Sequence, residues 1–325
     1  MRVYGADHEI LDTAVNWIRQ GFHPALVTVV RTWGSSPRPV GSLMLMREDG
    51  IHNGSVSGGC VEEDLVSRYC SQQLSDCFPT MIDYGIDRAE ATRLGLPCGG
   101  RLELLIERLH SVKPLQLLLE KLQSGQLVAR RVCLRTGEVS LHPADVSDDF
   151  SYTTDAVSKV FGPLWQLLLI GAGHLSRYVA QIALMLDYRV IVCDPREVYG
   201  AIWLVEGAEL VRDMPDDAVR RYASHPRSAV LALTHDPKLD DMAVLDALSS
   251  EAFYVGALGS RRNSDLRRER LQSLGVTEEQ LQRLHAPVGL AIGSRTPAEI
   301  AVSIMADVTY RRHQATRRAQ PAALV

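Results

Sequence analysis

The second half of the chain alternates between two kinds of segment. Runs LLLIGAG (167–173), RVIVCD (189–194), AELV (208–211), SAVLALT (228–234) and FYVGAL (253–258) are apolar and of strand length, and helical segments separate most of them. A strand covered on both faces has no polar side to show, so it reads as an unbroken apolar run, and the intervening helices return the chain for parallel pairing. The pattern predicts an α/β fold, with a doubly wound, Rossmann-like parallel sheet over residues 164–325.

The first turn of that sheet is GAGHLS (171–176), which follows an apolar strand and opens a helix, and Asp194 ends the next strand 21 residues after Gly173. Gly171 and Gly173 allow a tight turn and close approach of a pyrophosphate to the helix start, the arrangement of dinucleotide sites. Ser176 stands where glycine or alanine is usual. His174 and Arg196 crowd the same place, so the nucleotide reading and a purely structural turn both stay open. His235 and Asp236 after one strand, and Ser260 after another, are expected at the same crevice. Thr296 to Glu299, with Pro297 at the first helical position, reads as a capping box of structural purpose.

The first half mixes elements differently. Ile10, Leu11, Ala14, Val15 and Ile18 make one helical stripe; 24–30 and 42–46 read as strands, with Asp49-Gly50 as a hairpin turn. A helix is expected from Val61 to about Cys77, strands over 80–84 and 101–107, a helix over 115–122, and a hairpin punctuated by Gly137. These residues predict an N-terminal α+β domain over 1–145. The polar, aperiodic stretch 146–163 reads as a linker to the C-terminal domain.

Within that first domain GSVSGGCVEED (54–64) places Cys60 after Gly58 and Gly59, at the start of a helix. The two glycines let backbone amides face a ligand, and a helix N-terminus lowers a thiol pKa toward the thiolate that binds metal or carries sulfur. Glu62, Glu63 and Asp64 oppose that effect, so a reactive and an inert Cys60 both remain open. Cys98, in LPCGG (96–100), is a second glycine-flanked thiol, whereas Cys70, Cys77, Cys133 and Cys193 read as packing residues.

Composition closes off several classes of function. A net charge of −4 in 325 residues leaves no global basic field for nucleic acid. Six cysteines without CxxC spacing argue against a disulfide framework or structural zinc, and fit a reducing cytoplasm. The first 20 residues carry charges where a signal peptide needs an apolar core, and no uncharged apolar run reaches ~18 residues, so neither secretion nor a membrane span is expected.

The motifs GSSPRPVG (34–41), GSVSGGCVE (54–62), PCGG (97–100), GAGH (171–174), DPR (194–196), THD (234–236) and LGS (258–260) together resemble the XdhC/CoxI family of molybdoenzyme accessory proteins, over nearly the whole chain. The resemblance implies a chaperone, without turnover of its own, that binds molybdenum cofactor and supports its sulfuration with a cysteine desulfurase. It implies delivery of that cofactor to a xanthine dehydrogenase-type or CO dehydrogenase-type molybdoenzyme. It implies that Cys60, Cys98, Gly58, Gly59, Arg38 and Gly99 hold the molybdopterin, with Cys60 a soft ligand for molybdenum, and that the chain is a homodimer. Whether the cofactor is bare or carries a nucleotide stays open. The competing reading is an NAD(P)-dependent oxidoreductase that uses the C-terminal crevice with His235 as acid or base. A catalytic subunit of xanthine dehydrogenase itself is excluded by the lack of iron–sulfur cysteine clusters.

Overall fold

The computed structural model describes residues 5–33, 38–74, 78–85, 101–145 and 148–319, with Cys60 and 316–319 described by backbone alone. The chain divides into two compact units, one over Ala6–Gly162 and the other from Pro163 onward.

The first unit is built on an antiparallel sheet. Strands β1 (Ala25–Trp33), β2 (Leu43–Met46), β3 (His52–Gly54), β4 (Thr80–Tyr84) and β5 (Arg101–Arg108) lie in the order β3-β2-β1-β5-β4. The Asp49-Gly50 turn joins β2 to β3 as expected, Gly50 supplying a φ of 96°. Strand alternation sorts the side chains of β1. Val27 and Val29 pack with Val61 and Leu65 of helix α2 (Cys60–Cys70), while Leu26 packs with Leu11 of α1 (Ala6–Arg19) and Leu118 of α3 (Val112–Gln123). Helix α2 ends seven residues short of Cys77, because the chain turns at Ser71 and Gln72, the latter at a φ of 53° that a helix cannot carry.

A second antiparallel sheet in this unit has the order β7-β6-β9-β8, from β6 (Val128–Cys133), β7 (Val139–Pro143), β8 (Ser151–Tyr152) and β9 (Ala156–Phe161). The stretch 146–163, expected to be a linker, therefore carries two strands, and one of them is central. Its sequence AVSKVF places polar residues in a pair rather than alternately, so no period of two appears. Lys159, in the middle of β9, is tied to Asp7 at 2.8 Å and to the Gly41 carbonyl at 2.8 Å.

The second unit is the doubly wound sheet. Strands β10 (Trp165–Ile170), β11 (Tyr188–Cys193), β12 (Glu209–Val211), β13 (Ser228–Ala232), β14 (Tyr254–Ala257) and β15 (Leu284–His285) lie in the order β12-β11-β10-β13-β14-β15, every pair parallel. Helices α4 (His174–Met185) and α10 (Pro297–Ala319) cover one face with Val179, Ala183, Ile304 and Val308. Helices α6 (Pro215–Tyr222), α7 (Pro237–Ser249) and α8 (Arg261–Ser273) cover the other with Val219, Val244 and Leu271. Leu167 and Leu169 point into the first layer and Leu168 and Ile170 into the second, so β10 is apolar without a break. Two short helices, α5 (Glu197–Ala201) and α9 (Glu278–Gln282), complete the unit. The order reverses between β10 and β13, the switch point beyond whose strand carboxyl ends an open α/β sheet places its ligand crevice.

Candidate functional site

The strand ends of the second unit are level. Cys193, Ile170, Ala232 and Ala257 are register partners in successive pairs, so the loops after β11, β10, β13 and β14 leave the sheet along one row. All eight residues expected at the crevice lie on these loops or at the helix starts beyond them. Gly171 has a φ of 107°, and a Cβ there would meet Thr234 atoms at 3.0–3.2 Å, so only glycine permits the crossing from β10 past the loop after β13. Gly173 precedes α4 without a side-chain cap, and a Cβ on it would meet nothing within 4 Å. Ser176 is fully buried, and its hydroxyl has no hydrogen-bond partner among the described residues. His174 is exposed, with its ring edge-on to Tyr178 at 5.2 Å.

Asp194 does not face the crevice as an open acceptor. It is 0% exposed. Its Oδ2 accepts from the Ala172 amide at 2.8 Å and from Arg196 Nη2 at 2.9 Å, while Oδ1 accepts from the Arg196 amide at 3.1 Å and from Nε at 2.9 Å. Burial alone would raise this carboxyl, but Arg196 and the two amides outweigh it and hold Asp194 below the ordinary carboxylate range. The guanidinium of Arg196 in turn lies 4.0 Å from the Tyr199 ring centroid.

The loop after β13 is held in an uncommon conformation. His235, exposed, has a φ of 63°, a left-handed value that histidine tolerates better than most residues. What fixes it is a buried network that sequence reading missed. The Thr234 amide and hydroxyl donate to Asp240 Oδ1 at 3.0 and 2.7 Å, and the Asp236 amide donates to the Thr234 hydroxyl at 2.9 Å. Asp240 is 1% exposed and paired with Arg267, which also donates to Asp241 at 2.7 Å and to the Leu258 carbonyl at 3.0 Å. Arg267 thereby ties the loop after β14 to the loop after β13. Burial keeps the Asp240 carboxyl above its ordinary range, although Thr234 and Arg267 pull it down. Asp236 and Ser260 act at helix starts: Asp236 accepts from the Lys238 amide at 2.9 Å and Ser260 from the Asn263 amide at 3.2 Å.

In the first unit the loop before α2 is folded around Glu62. This side chain, 3% exposed, accepts from the amides of Val56, Ser57, Gly58 and Gly59 at 2.7–3.1 Å, from the Ser55 hydroxyl at 2.7 Å, and from the Ser57 hydroxyl. The expectation that Gly58 and Gly59 turn their amides toward a ligand is corrected: those amides are taken by the protein's own carboxylate. Burial opposes this ion, but the hydroxyls of Ser57 and Ser55 and the amides overcome it and hold Glu62 far below the usual range. Positive φ values of 94° and 147° at the two glycines fold the loop back over the helix it precedes. Cys60 is the first residue of α2, as the sequence predicts, and Arg38 reaches the same loop, its Nε 3.3 Å from the Ser55 hydroxyl. Cys98 and Gly99 lie outside the described residues, as does Cys77.

The other thiols divide. Cys193 is buried, and burial, with Asp213, Asp194 and Asp216 nearby, pushes it up to about 12. Cys133 is half-buried, but Cys70, expected to pack, is exposed at the last turn of α2. The cause is its position: Leu65 and Tyr69 take the buried stripe and leave Cys70 on the outer side. Among the described residues no three His, Cys, Asp or Glu side chains form a group able to hold a metal ion, and no helix is long and apolar enough to cross a membrane.

Known proteins match both units. The profile of the XdhC Rossmann domain matches residues 167–308, and that of the XdhC and CoxI family matches residues 17–85. The chain is 28% identical to the molybdenum cofactor insertion chaperone PaoD of Escherichia coli K12, over 95% of this chain and 90% of that protein. It is 28% identical to a probable xanthine dehydrogenase subunit of Bacillus subtilis 168, over 88% and 92% of the two chains. A crystal structure described as a xanthine dehydrogenase from Bacillus halodurans superposes with a TM-score of 0.68 at 25% identity and covers 98% of each chain. With a profile of the same family on each of its two units, the chain belongs to the XdhC and CoxI family.

Proposed function

We propose that this protein binds molybdenum cofactor and supports its sulfuration and insertion into a xanthine dehydrogenase-type or CO dehydrogenase-type molybdoenzyme, acting as a homodimer together with a cysteine desulfurase in the cytoplasm. The observation that carries this reading is similarity to an insertion chaperone over 95% of the chain, through both units rather than the nucleotide-type half alone.

Each unit, taken by itself, carries residues that fit a chemical group found in such a cofactor. At the start of α2, Cys60 provides a thiolate-capable group, and Cys98 is proposed as a second soft donor; sulfur ligands suit the metal end. Gly58 and Gly59 serve by geometry rather than by donation, because their amides donate to Glu62. Arg38 adds an exposed cation beside that loop, and Gly99 is assigned with Cys98. In the other unit, taken by itself, the open space at Gly173, the exposed rings of His174 and His235, and Arg196 suit an anionic, phosphate-bearing ligand. When bound, the cofactor supplies the metal and the oxo or sulfido ligand to be exchanged. The protein's share is to hold it, keep the thiols in place and release it. The oxidoreductase alternative has His235 in its favour, but Asp194 is closed to ribose.

Production in a host with an intact molybdopterin pathway tests the reading. Acid oxidation of the purified protein is expected to release a fluorescent pterin, and Cys60→Ser to lose it while melting like the parent. No pterin after such production, with no uptake of supplied cofactor, would remove the proposal; steady turnover of NAD(P)H with a small substrate would replace it.

A further inference from the structure

A carboxylate has about four acceptor positions, and Asp194 fills them with the Ala172 amide and with the amide, Nε and Nη2 of Arg196. Sites for an unphosphorylated dinucleotide need an acidic acceptor at this strand end for the ribose hydroxyls, whereas an arginine there accommodates a phosphate on the ribose. In this chain the acceptor is saturated and sealed from solvent, and the arginine side chain that covers it is 28% exposed. Nη1 of Arg196 makes no hydrogen bond among the described residues. Two restraints fix its direction: Asp194 grips the Nε and Nη2 edge, and Tyr199 lies under the plane at 4.0 Å. The strand end thus offers a fixed charged donor where an acceptor is the rule.

We propose that Arg196 makes the crevice selective for a phosphomonoester, and that a ligand presenting only an unmodified ribose diol at this point is discriminated against. The inference rests on the crevice being a nucleotide-type site, as read above. A phosphomonoester accepts a charge-assisted hydrogen bond from Nη1, whereas a hydroxyl gains only a neutral acceptor's contact and finds the oxygens of Asp194 already taken for its own proton. Asp236 adds a nearby negative charge, but one of its oxygens already caps α7 through the Lys238 amide. The phosphate can belong to a nucleotide ribose or to the end of a pterin side chain; both present the same group.

Two probe pairs, each differing by one phosphate, separate these sources: NADP against NAD, and an oxidised pterin phosphate against the same pterin after phosphatase treatment. Calorimetric titration of the full chain is expected to show the phosphorylated member binding about tenfold tighter or more in at least one pair. Arg196→Gln is expected to bring that pair to within about twofold, with the weaker member unchanged. Arg196→Lys keeps a cation over the buried Asp194, so it serves if the glutamine variant does not fold, and it is expected to retain only part of the preference. Equal binding within both pairs, or a preference that survives in Arg196→Gln, overturns the role of Arg196 and leaves a nucleotide-type crevice standing. Failure of all four probes to bind overturns both.

Discussion

The start of α2 and the start of α4 are made from the same parts: a glycine-rich turn, the first turn of a helix and one buried carboxylate. They differ in where the carboxylate comes from. Glu62 belongs to the helix itself, reaches back three to six residues, and takes up the amides from Val56 to Gly59. Asp194 belongs to the neighbouring strand and takes one amide of its turn, that of Ala172; the helix start at Gly173 is left without a side-chain cap. A glycine loop is thus an anion site only if no acid of the same chain reaches it first. The α2 loop is a finished structure that presents the helix start at Cys60, and the α4 turn leaves its helix start without a side-chain cap.

If the crevice is open because its rim is held from outside, removing the holder should have the largest effect in the molecule. Arg267→Leu leaves Asp240 and Asp241 without their shared cation and releases the Leu258 carbonyl. A loss of roughly 3–5 kcal/mol is expected, as for one partner removed from a buried ion pair, read by urea unfolding followed with circular dichroism. A loss under about 1 kcal/mol would mean that the loops after β13 and β14 hold themselves, and that the contrast with the α2 loop is overdrawn.

For the self-contained loop, Glu62→Ala strands its amide and hydroxyl donors, and a loss of about 2–3 kcal/mol is expected. Glu62→Gln, which keeps the shape but adds an NH2 group among donors, should recover only part of it. Asp194→Asn should cost less than Glu62→Ala, because Arg196 can turn to water. The reverse ranking would show that Asp194, not Glu62, is the structural acid.

The parallel sheet was legible because buried strands are written as apolar runs and helices separate them; β10 and β13 needed no more than that. Strand β9 was not, since AVSKVF shows no alternation and its pairing with β6 is a long-range fact. The places of Asp194 and Arg196 followed from strand length and spacing. That the second closes the first did not, since two residues of separation say nothing of where a guanidinium folds. Glu62 was visible only as an acid suited to a helix start, because its role depends on two left-handed glycines that turn the chain back over it. Arg267 was one arginine in an arginine-rich helix, and nothing local marked it as the tie between two loops.

The same contrast has a smaller expression in pH. Glu62 and Asp194 are held below the ordinary range, so their contribution is complete above an unfolded carboxylate's value near pH 4 and is lost as pH falls from there through their folded values. Asp240 runs the other way: its carboxyl is raised, so its contribution is complete below that value and is lost as pH rises through the folded one. Between pH 7 and about pH 4 acidification should therefore bring a gain from Asp240, set against a loss from His285, which burial holds below the ordinary imidazole range in the same unit. Across that window the urea midpoint of the parent should rise relative to that of Asp240→Asn as pH falls, a difference in which the His285 contribution cancels. A parent midpoint that keeps a constant offset from Asp240→Asn across the window would mean that Arg267 fully compensates the buried charge.

The smallest effect belongs to the thiol at the other end of α2. Cys70 is exposed, where Leu65 and Tyr69 fill the buried stripe, and its sulfur lies 3.9 Å from the Arg47 carbonyl. Cys70→Ser exchanges one small polar side chain for another at the surface, so stability should move by no more than about 0.5 kcal/mol. Cys193→Ser, at a site sealed between β11 and the α6 layer, should cost about 1–2 kcal/mol by placing a hydroxyl among apolar neighbours, with the Asp213 carbonyl as its sole evident acceptor. Paired with Cys60→Ser, these variants sort the thiols by function. Cofactor retention should survive in Cys70→Ser and vanish in Cys60→Ser, although both changes lie on the same helix. If Cys70→Ser also loses cofactor while melting like the parent, then the working end of α2 is its last turn, and the loop around Glu62 serves only to start the helix.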